Sequence, residues 1–328
     1  MASARFPGVM APPRSDDDAG TPVPTGDRFV GVDESVTGDR IAPIPALSRD
    51  ATIVPIDRGD DTVPLANPRR SDVDHWGRSE RMRELTRMLY EPMYSRWFRA
   101  EWEGLENVPR EGGALLVSNH AAAIPSDAPV IMHGIEKEVG RPVYGLADYL
   151  FVAMPVVGTL WSRVGGVPAH PDNAYRLLHD DRQLALVFPE GSKGPGKHYS
   201  ERYKLRRFGR GGFVETAMRA GVPVIPIAVV GAEESMPIIY KNRLMAKAFN
   251  LPYVPLTANM LAFGPLGLLL YFPAKFRLRV LPPVHFDVPP DQERYSRSRV
   301  MEEADGIREM IQQELYVMLQ RRRSVWFG

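Results

Sequence analysis

Three short apolar runs constrain this chain more than any other feature. Ala114-Leu115-Leu116-Val117, residues 184–188 and residues 222–230 are each bounded by turn residues and each too short for a buried helix. Runs of this kind read as strands buried on both faces, as in parallel or mixed sheets. Helix-like segments between them, among them 174–179 and 211–220, give the alternation of an α/β domain. Near the carboxyl end, 277–281 reads as a further strand and 300–323 as a long amphipathic helix closing on Arg321, Arg322 and Arg323. The expected fold class is α/β: a mixed, largely parallel sheet flanked by helices and preceded by amphipathic N-terminal helices.

The first part of the chain does not belong to that body. Proline, glycine and aspartate recur over 1–70 without apolar periodicity, as in Ala11-Pro12-Pro13 and the run Asp16-Asp17-Asp18. Such a segment cannot offset the entropy of ordering it, so 1–70 is expected to be disordered. From Ser71 the texture changes. Trp76, Met82, Leu85, Met88, Leu89, Met93, Trp97 and Phe98 recur at helical intervals among Arg78, Arg81, Arg83, Arg87, Arg96 and Arg99. Pro92 should divide this stretch into two helices. Two readings of 71–100 stay open. The helices lie in a bilayer interface with arginines on anionic headgroups, or they pack on the domain with arginines in water.

Residues 251–274 carry no charge and are long enough to span a bilayer. Pro252, Pro255, Pro265 and Pro273, with Gly264 and Gly267, argue against a continuous helix. The segment reads as a buried or membrane-dipping hairpin rather than a span. The 328 residues include no cysteine, which excludes disulfides, thiolate metal sites and cysteine nucleophiles. No apolar core of a secretory signal opens the chain, and a reducing cytoplasm fits. No two histidines sit at ligand spacing on one element, so no metal is expected. Nucleic acid is not an expected partner either, since no base-stacking module is visible. Nothing in the sequence sets the oligomeric state.

The chemistry gathers at strand ends. After the 114–117 run comes Ser118-Asn119-His120-Ala121-Ala122-Ala123-Ile124-Pro125-Ser126-Asp127, with six residues between the imidazole and the carboxylate. One regular helix would hold them about 10 Å apart, too far for a hydrogen bond. Pro125 excludes that helix. The consistent path ends the strand near Ser118, loops through 121–124 and starts a helix with Ser126 as N-cap, Asp127 in the first turn and Pro129 where a missing N–H costs nothing. This path can fold the carboxylate back onto the ring; the spacing permits a dyad without proving one.

The second stretch, Phe188-Pro189-Glu190-Gly191-Ser192-Lys193-Gly194, begins at another strand end, where α/β proteins collect ligand-binding loops. Glycines at 191, 194 and 196 let amides approach an anion, and Lys193 and Lys197 offer it charge. Alone this loop is a weak signal. It gains weight as the partner of the first.

Asn119-His120 with Asp127, then Phe188-Pro189-Glu190-Gly191-Ser192-Lys193, then Val224-Ile225-Pro226-Ile227, resembles the glycerolipid acyltransferase superfamily. Its members esterify glycerol-3-phosphate and lysophosphatidic acid and carry an NH-x4-D motif, an FPEGTR-like motif and a late apolar motif centred on proline. The likeness covers roughly residues 100–285 and implies a glycerol-3-phosphate acyltransferase-like domain over 101–328. Three departures stand out. Six residues rather than four separate His120 from Asp127, and the usual threonine–arginine pair is Ser192–Lys193, which keeps charge but loses the bidentate fork. The stretch Gly165-Gly166-Val167-Pro168-Ala169-His170 has no arginine at the place where the family contacts an acceptor phosphate, and Arg163 is the candidate substitute.

The resemblance implies transfer of a fatty acyl chain from acyl-CoA or acyl-carrier protein to a lysophospholipid hydroxyl, with no other cofactor. An alcohol needs a base as it attacks a thioester. His120 is the expected base and Asp127 the group that fixes its tautomer. Asn119, Arg163, Glu190, Gly191, Ser192 and Lys193 are the expected substrate-binding residues. No GxSxG elbow appears, and none is needed when the substrate supplies the hydroxyl. The basic run Lys197, Arg202, Lys204, Arg206, Arg207 and Arg210 is expected to attract headgroups or the phosphates of coenzyme A. His75, His133, His179, His198 and His285 read as surface or structural; His170 is a candidate acceptor contact. Diacylglycerol as acceptor, a non-catalytic lipid-binding role and a thioester hydrolase are the rivals. The lipid acceptor implies a bilayer as partner and a peripheral, monotopic location on a cytoplasmic membrane face.

Overall fold

The computed structural model describes residues 72–149, 154, 156–248, 253–292 and 294–328. The expected disorder of 1–70 falls outside the described residues. Period-two alternation along the apolar runs builds a sheet with a core on each face. On β2 (Ala114–Ser118), Leu115 and Val117 enter one core while Ala114 and Leu116 enter the other. On β6 (Val224–Val230), Val224, Ala228 and Val230 face the first core, and Ile225, Ile227 and Val229 the second.

Around these two lie β1 (Glu101–Glu103), β3 (Val143–Ala147), β4 (Gly166–Pro168), β5 (Leu184–Val187) and β9 (Arg277–Val280), in the order β1-β9-β6-β2-β5-β3-β4. The block from β6 to β4 is parallel; β9 is antiparallel to β6 and carries β1 parallel beside it. The sheet is mixed and mostly parallel, as the runs implied. Helices cover both faces. Gly212–Ala220 and Arg297–Arg321 close the first core, the latter through Val300, Ala304, Ile307, Ile311 and Leu315 at helical spacing. On the second, α2 (Asp127–Val139) buries Val130, Ile131 and Ile135 beside Tyr94 and Phe98. Each large side chain so buried contributes roughly 1.5–3 kcal/mol.

The N-terminal helix corrects the sequence reading. α1 (Glu80–Pro92) buries Arg83 and leaves Leu85, Met88 and Leu89 exposed. Arg83 pairs with Glu136 on α2, and buried Arg78 bonds Glu136 at 3.0 Å and also Glu80. Two of the arginines assigned to headgroups or water therefore hold the helix to the domain. Glu91 joins the clamp, accepting from His133 at 2.8 Å and from Lys137 at 2.6 Å. Pro92 has no N–H for the preceding turn, and the chain widens into a π turn over Met93–Trp97, closed by Phe98 N–H on the Met93 carbonyl at 2.8 Å.

From residue 253 the uncharged segment is neither one helix nor wholly buried: Thr257, Asn259 and Ala274 are enclosed, while its large apolar side chains are not. β8 (Pro255–Thr257) pairs antiparallel with β7 (Ile238–Lys241), then come the short helix Ala258–Phe263 and the 3-10 turns Gly264–Leu268. Leu261, Phe263, Leu266, Leu269 and Leu270 point outward. Among the described residues, no helix is long and apolar enough to cross a membrane.

Candidate active site

β2 and β5 are adjacent and parallel, so the loops at their carboxyl ends meet. After Ser118 the chain turns through 121–124, with Ala122 at φ 68°, and enters α2 at Asp127. The return path brings His120 Nδ1 to 3.0 Å from Asp127 Oδ2. Asp127 is fully buried, and its oxygens also accept from Ala121 N–H at 2.7 Å and Ala128 N–H at 2.8 Å. Three donors thus fix the carboxylate, and the carboxylate fixes the ring. The Ser126 side chain does not cap α2 as expected. Its hydroxyl meets Ser235 Oγ at 2.9 Å, while Asp127 takes over the first-turn amide.

His120 stacks on Phe188, ring centroids 4.0 Å apart and planes 17° from parallel. Its side chain is 15% exposed. With Nδ1 on the carboxylate, Nε2 is the atom left to meet a ligand; among the described residues no hydrogen bond to it is formed. Gly194 presses on the other side of the residue, where an added Cβ would lie 2.8 Å from both His120 Cβ and its carbonyl oxygen. Tyr253 and Tyr271 are held neutral nearby. Burial first, then the Asp127 charge, pushes the Tyr253 phenol up to about 12 and that of Tyr271 up as well.

The substrate-binding expectations separate into groups. Asn119 is 1% exposed, and its amide is used on β6: it donates to Val229 O at 3.0 Å and accepts from Val229 N–H at 2.8 Å. The side chain acts as one more rung of the β2–β6 ladder rather than as a substrate contact. Glu190 is buried, accepting from His120 N–H at 3.1 Å and Arg206 N–H at 2.7 Å. It joins three loops and faces no open space. Gly191, Ser192 and Lys193 form an exposed 3-10 turn beside it, with Gly191 at φ 55°. The amides of Gly191, Gly194 and Gly196 bond carbonyls within the loop, so the glycines close a turn instead of cradling an anion.

Arg163 does not join the group. It ends the helix Val157–Arg163, ahead of β4, with its guanidinium on the Gly77 carbonyl at 3.4 Å. Since β4 runs parallel to β3, β5 and β2, Arg163 lies at the amino end of the sheet and the histidine at the carboxyl end. His170 follows β4 at the correct end, its side chain 64% exposed and Nδ1 accepting from Asp172 N–H. Three strand spacings separate β4 from β2, about 14 Å.

Lys197, expected to offer charge, is buried between Glu233 Oε1 at 3.0 Å and Glu190 Oε2 at 3.5 Å. Burial raises the Glu233 carboxyl against the pull of that lysine. Next door, Arg322 bonds Glu234 at 2.7 Å and Tyr203 at 3.3 Å, tying the carboxyl-terminal segment to the loop after β6. The sequence reading missed this network. Its one visible signal is the adjacent pair Glu233 and Glu234 just past an apolar strand.

The acyltransferase family model matches residues 99–230, which contain the dyad and the Glu190 loop. An uncharacterized protein of Mycobacterium tuberculosis is 37% identical over 246 residues, covering 74% of this chain and 68% of that one. A Bos taurus protein named as a DGAT1/2-independent enzyme synthesizing storage lipids is 25% identical over 194 residues, 58% of this chain and 54% of its own length. The crystal structure of the 1-acyl-sn-glycerophosphate acyltransferase PlsC from Thermotoga maritima aligns over 74% of this chain and 84% of that chain, at 20% identity and a TM-score of 0.45. The chain belongs to the acyltransferase family.

Proposed function

We propose that the protein transfers a fatty acyl group from acyl-CoA or acyl-carrier protein to a hydroxyl of a lysophospholipid, with His120 as general base. The observation that carries this reading is the His120–Asp127 pair, Nδ1 to Oδ2 at 3.0 Å, with Nε2 left for a ligand. As the acceptor oxygen attacks the thioester carbonyl, Nε2 takes the hydroxyl proton and the buried carboxylate stabilises the imidazolium. Collapse of the tetrahedral intermediate breaks the C–S bond, and the imidazolium returns the proton to the departing thiolate. A positioned base of this kind contributes about 10²–10⁴-fold. Exposed Arg202, Lys204, Arg207 and Arg210, on the chain that follows Glu190, form the basic face for the donor's phosphates.

The outward apolar stripe Leu85, Met88 and Leu89, beside exposed Arg81, Arg87 and Arg96, supports the bilayer reading of α1. On this reading the protein is monotopic, on a cytoplasmic membrane face, and takes its acceptor from the lipid. A neutral acceptor such as diacylglycerol is the second reading. The displacement of Arg163 favours it, and so does the name of the bovine relative. Incubating labelled acyl-CoA with lysophosphatidic acid, with diacylglycerol and with neither decides between them. Ester formed on the lysolipid supports the first reading, ester on diacylglycerol alone the second. Free fatty acid without ester marks a hydrolase, and no turnover a lipid-binding protein.

A further inference from the structure

We infer that residues 253–274 and the carboxyl-terminal Trp326 and Phe327 form a second membrane-inserting edge, separate from α1 and attached to the loop that follows His120. The inference rests on the lipid-acceptor reading. Leu261 is 69% exposed, Leu266 66%, Leu269 75% and Phe327 83%. These residues lie on one connected surface. The Phe272 ring meets both Phe263 and Trp326 at 6.3 Å, and Arg99 bonds the carbonyls of Pro273 at 2.7 Å and Trp326 at 2.5 Å. Trp97, at the end of the π turn that follows α1, donates to the Tyr271 carbonyl at 3.0 Å.

The chemistry of the patch selects a lipid surface as its occupant. It offers leucine and aromatic side chains from a stretch without a charge, with exposed Arg96, Arg321 and Arg323 on the neighbouring elements. Apolar groups in the acyl boundary with arginines at headgroup level is the pattern of an interfacial anchor. The attachment to the site is direct. Tyr253 donates to the Ala123 carbonyl at 3.0 Å, Asn259 donates to the Ser235 carbonyl at 3.0 Å, and Ser235 Oγ meets Ser126 Oγ at 2.9 Å. The apolar edge is thus fixed to the His120–Asp127 loop by hydrogen bonds.

The absence of cysteine makes a clean test possible. Leu266→Cys, labelled with an environment-sensitive fluorophore in the full chain, is mixed with vesicles of phosphatidylcholine and phosphatidylglycerol. The label is expected to blue-shift and to be quenched by brominated phosphatidylcholine, while the same label on Glu302→Cys, exposed on the Arg297–Arg321 helix, is not. Serine at Leu261, Phe263, Leu266 and Leu269 together is expected to weaken vesicle binding by at least about tenfold. A Leu266 label that stays in water while the protein floats with vesicles overturns the inference. So does a blue shift without lipid, which marks contact between protein copies. Insertion without acyl transfer keeps this surface and removes the transferase reading; transfer without insertion does the reverse.

Discussion

Asn119→Ala separates a structural residue from a substrate-binding one. The side chain is 1% exposed and pairs with both the N–H and the C=O of Val229 at 2.8 and 3.0 Å. Truncation strands both groups in the second core. A buried polar group without a partner costs about 1–3 kcal/mol, so the pair costs about 2–6 kcal/mol less whatever water regains. Against a typical domain stability of about 5–15 kcal/mol this is a large loss. Urea unfolding followed by tryptophan fluorescence should show a lower midpoint at unchanged slope. Asn119→Asp should lose at least as much, because one carboxylate oxygen then faces the Val229 carbonyl. Steady-state kinetics on protein kept folded should show a reduced kcat, since His120 is the next residue, with the acceptor KM shifted by less than about twofold. An unchanged midpoint together with an acceptor KM raised about tenfold would refute the argument, placing the amide on the substrate.

His120→Ala should reduce transfer by about 10²–10⁴-fold with a small fall in the unfolding midpoint, since Phe188 loses its stacked ring and Asp127 one of its donors, and Asp127→Asn should cost less in rate but more in stability because Ala121 and Ala128 N–H lose a charged acceptor; wild-type turnover by His120→Ala would remove it as base. Gly194→Ala sits at φ −66°, so strain comes from crowding, 2.8 Å from His120 and 3.1 Å from the Glu190 Cβ, and overpacking of about 1–3 kcal/mol with a fall in kcat is expected; an unaltered rate would show that these neighbours give way freely. Burial holds His133 below its ordinary 6.5, so below that pH the unfolded chain binds more protons and stability falls as acid is added. Thermal melts of the native chain and His133→Gln at about pH 7.5 and about pH 5.5 should show the smaller acid loss in the variant, and equal losses would assign the sensitivity elsewhere.

Hydrophobic pattern is a local record, and what it records here is the sheet. The runs that become β2, β5 and β6 are apolar at every position because both faces are covered, so their strand character is written in a few consecutive residues. The dyad was legible as a possibility for the same reason: Pro125 lies between its two members and α2 starts at the second, so the local path permits the return of Asp127 to His120 that the structure shows. What was not legible depends on partners far along the chain. Nothing near Arg83 marks it as buried; that follows from Glu136, more than fifty residues later on α2. Because that pair turns the arginine inward, Leu85, Met88 and Leu89 turn outward, and the helix is amphipathic in the sense opposite to a packed one. Lys197 and Arg163 fail in the same way. A lysine in a glycine loop looks like a phosphate ligand until Glu233 takes it, and an arginine near the second motif looks available until strand direction puts it at the wrong end of the sheet.

Glu190 shows where the limit falls. Its loop marks it as part of the site, and the structure places it there, yet both its oxygens accept backbone N–H groups of His120 and Arg206. A carboxylate that grips the histidine's own amide orients the base from behind, while Asp127 orients it from the ring. The sequence names both acids, but only the fold distinguishes the one on the imidazole from the one on the backbone. The difference is measurable: Glu190→Gln keeps size and removes charge, leaving an amide N–H opposed to a backbone N–H. It should lower stability and kcat together and leave the acceptor KM in place. A Glu190→Gln enzyme that is fully stable but has lost acceptor affinity would return this residue to the substrate.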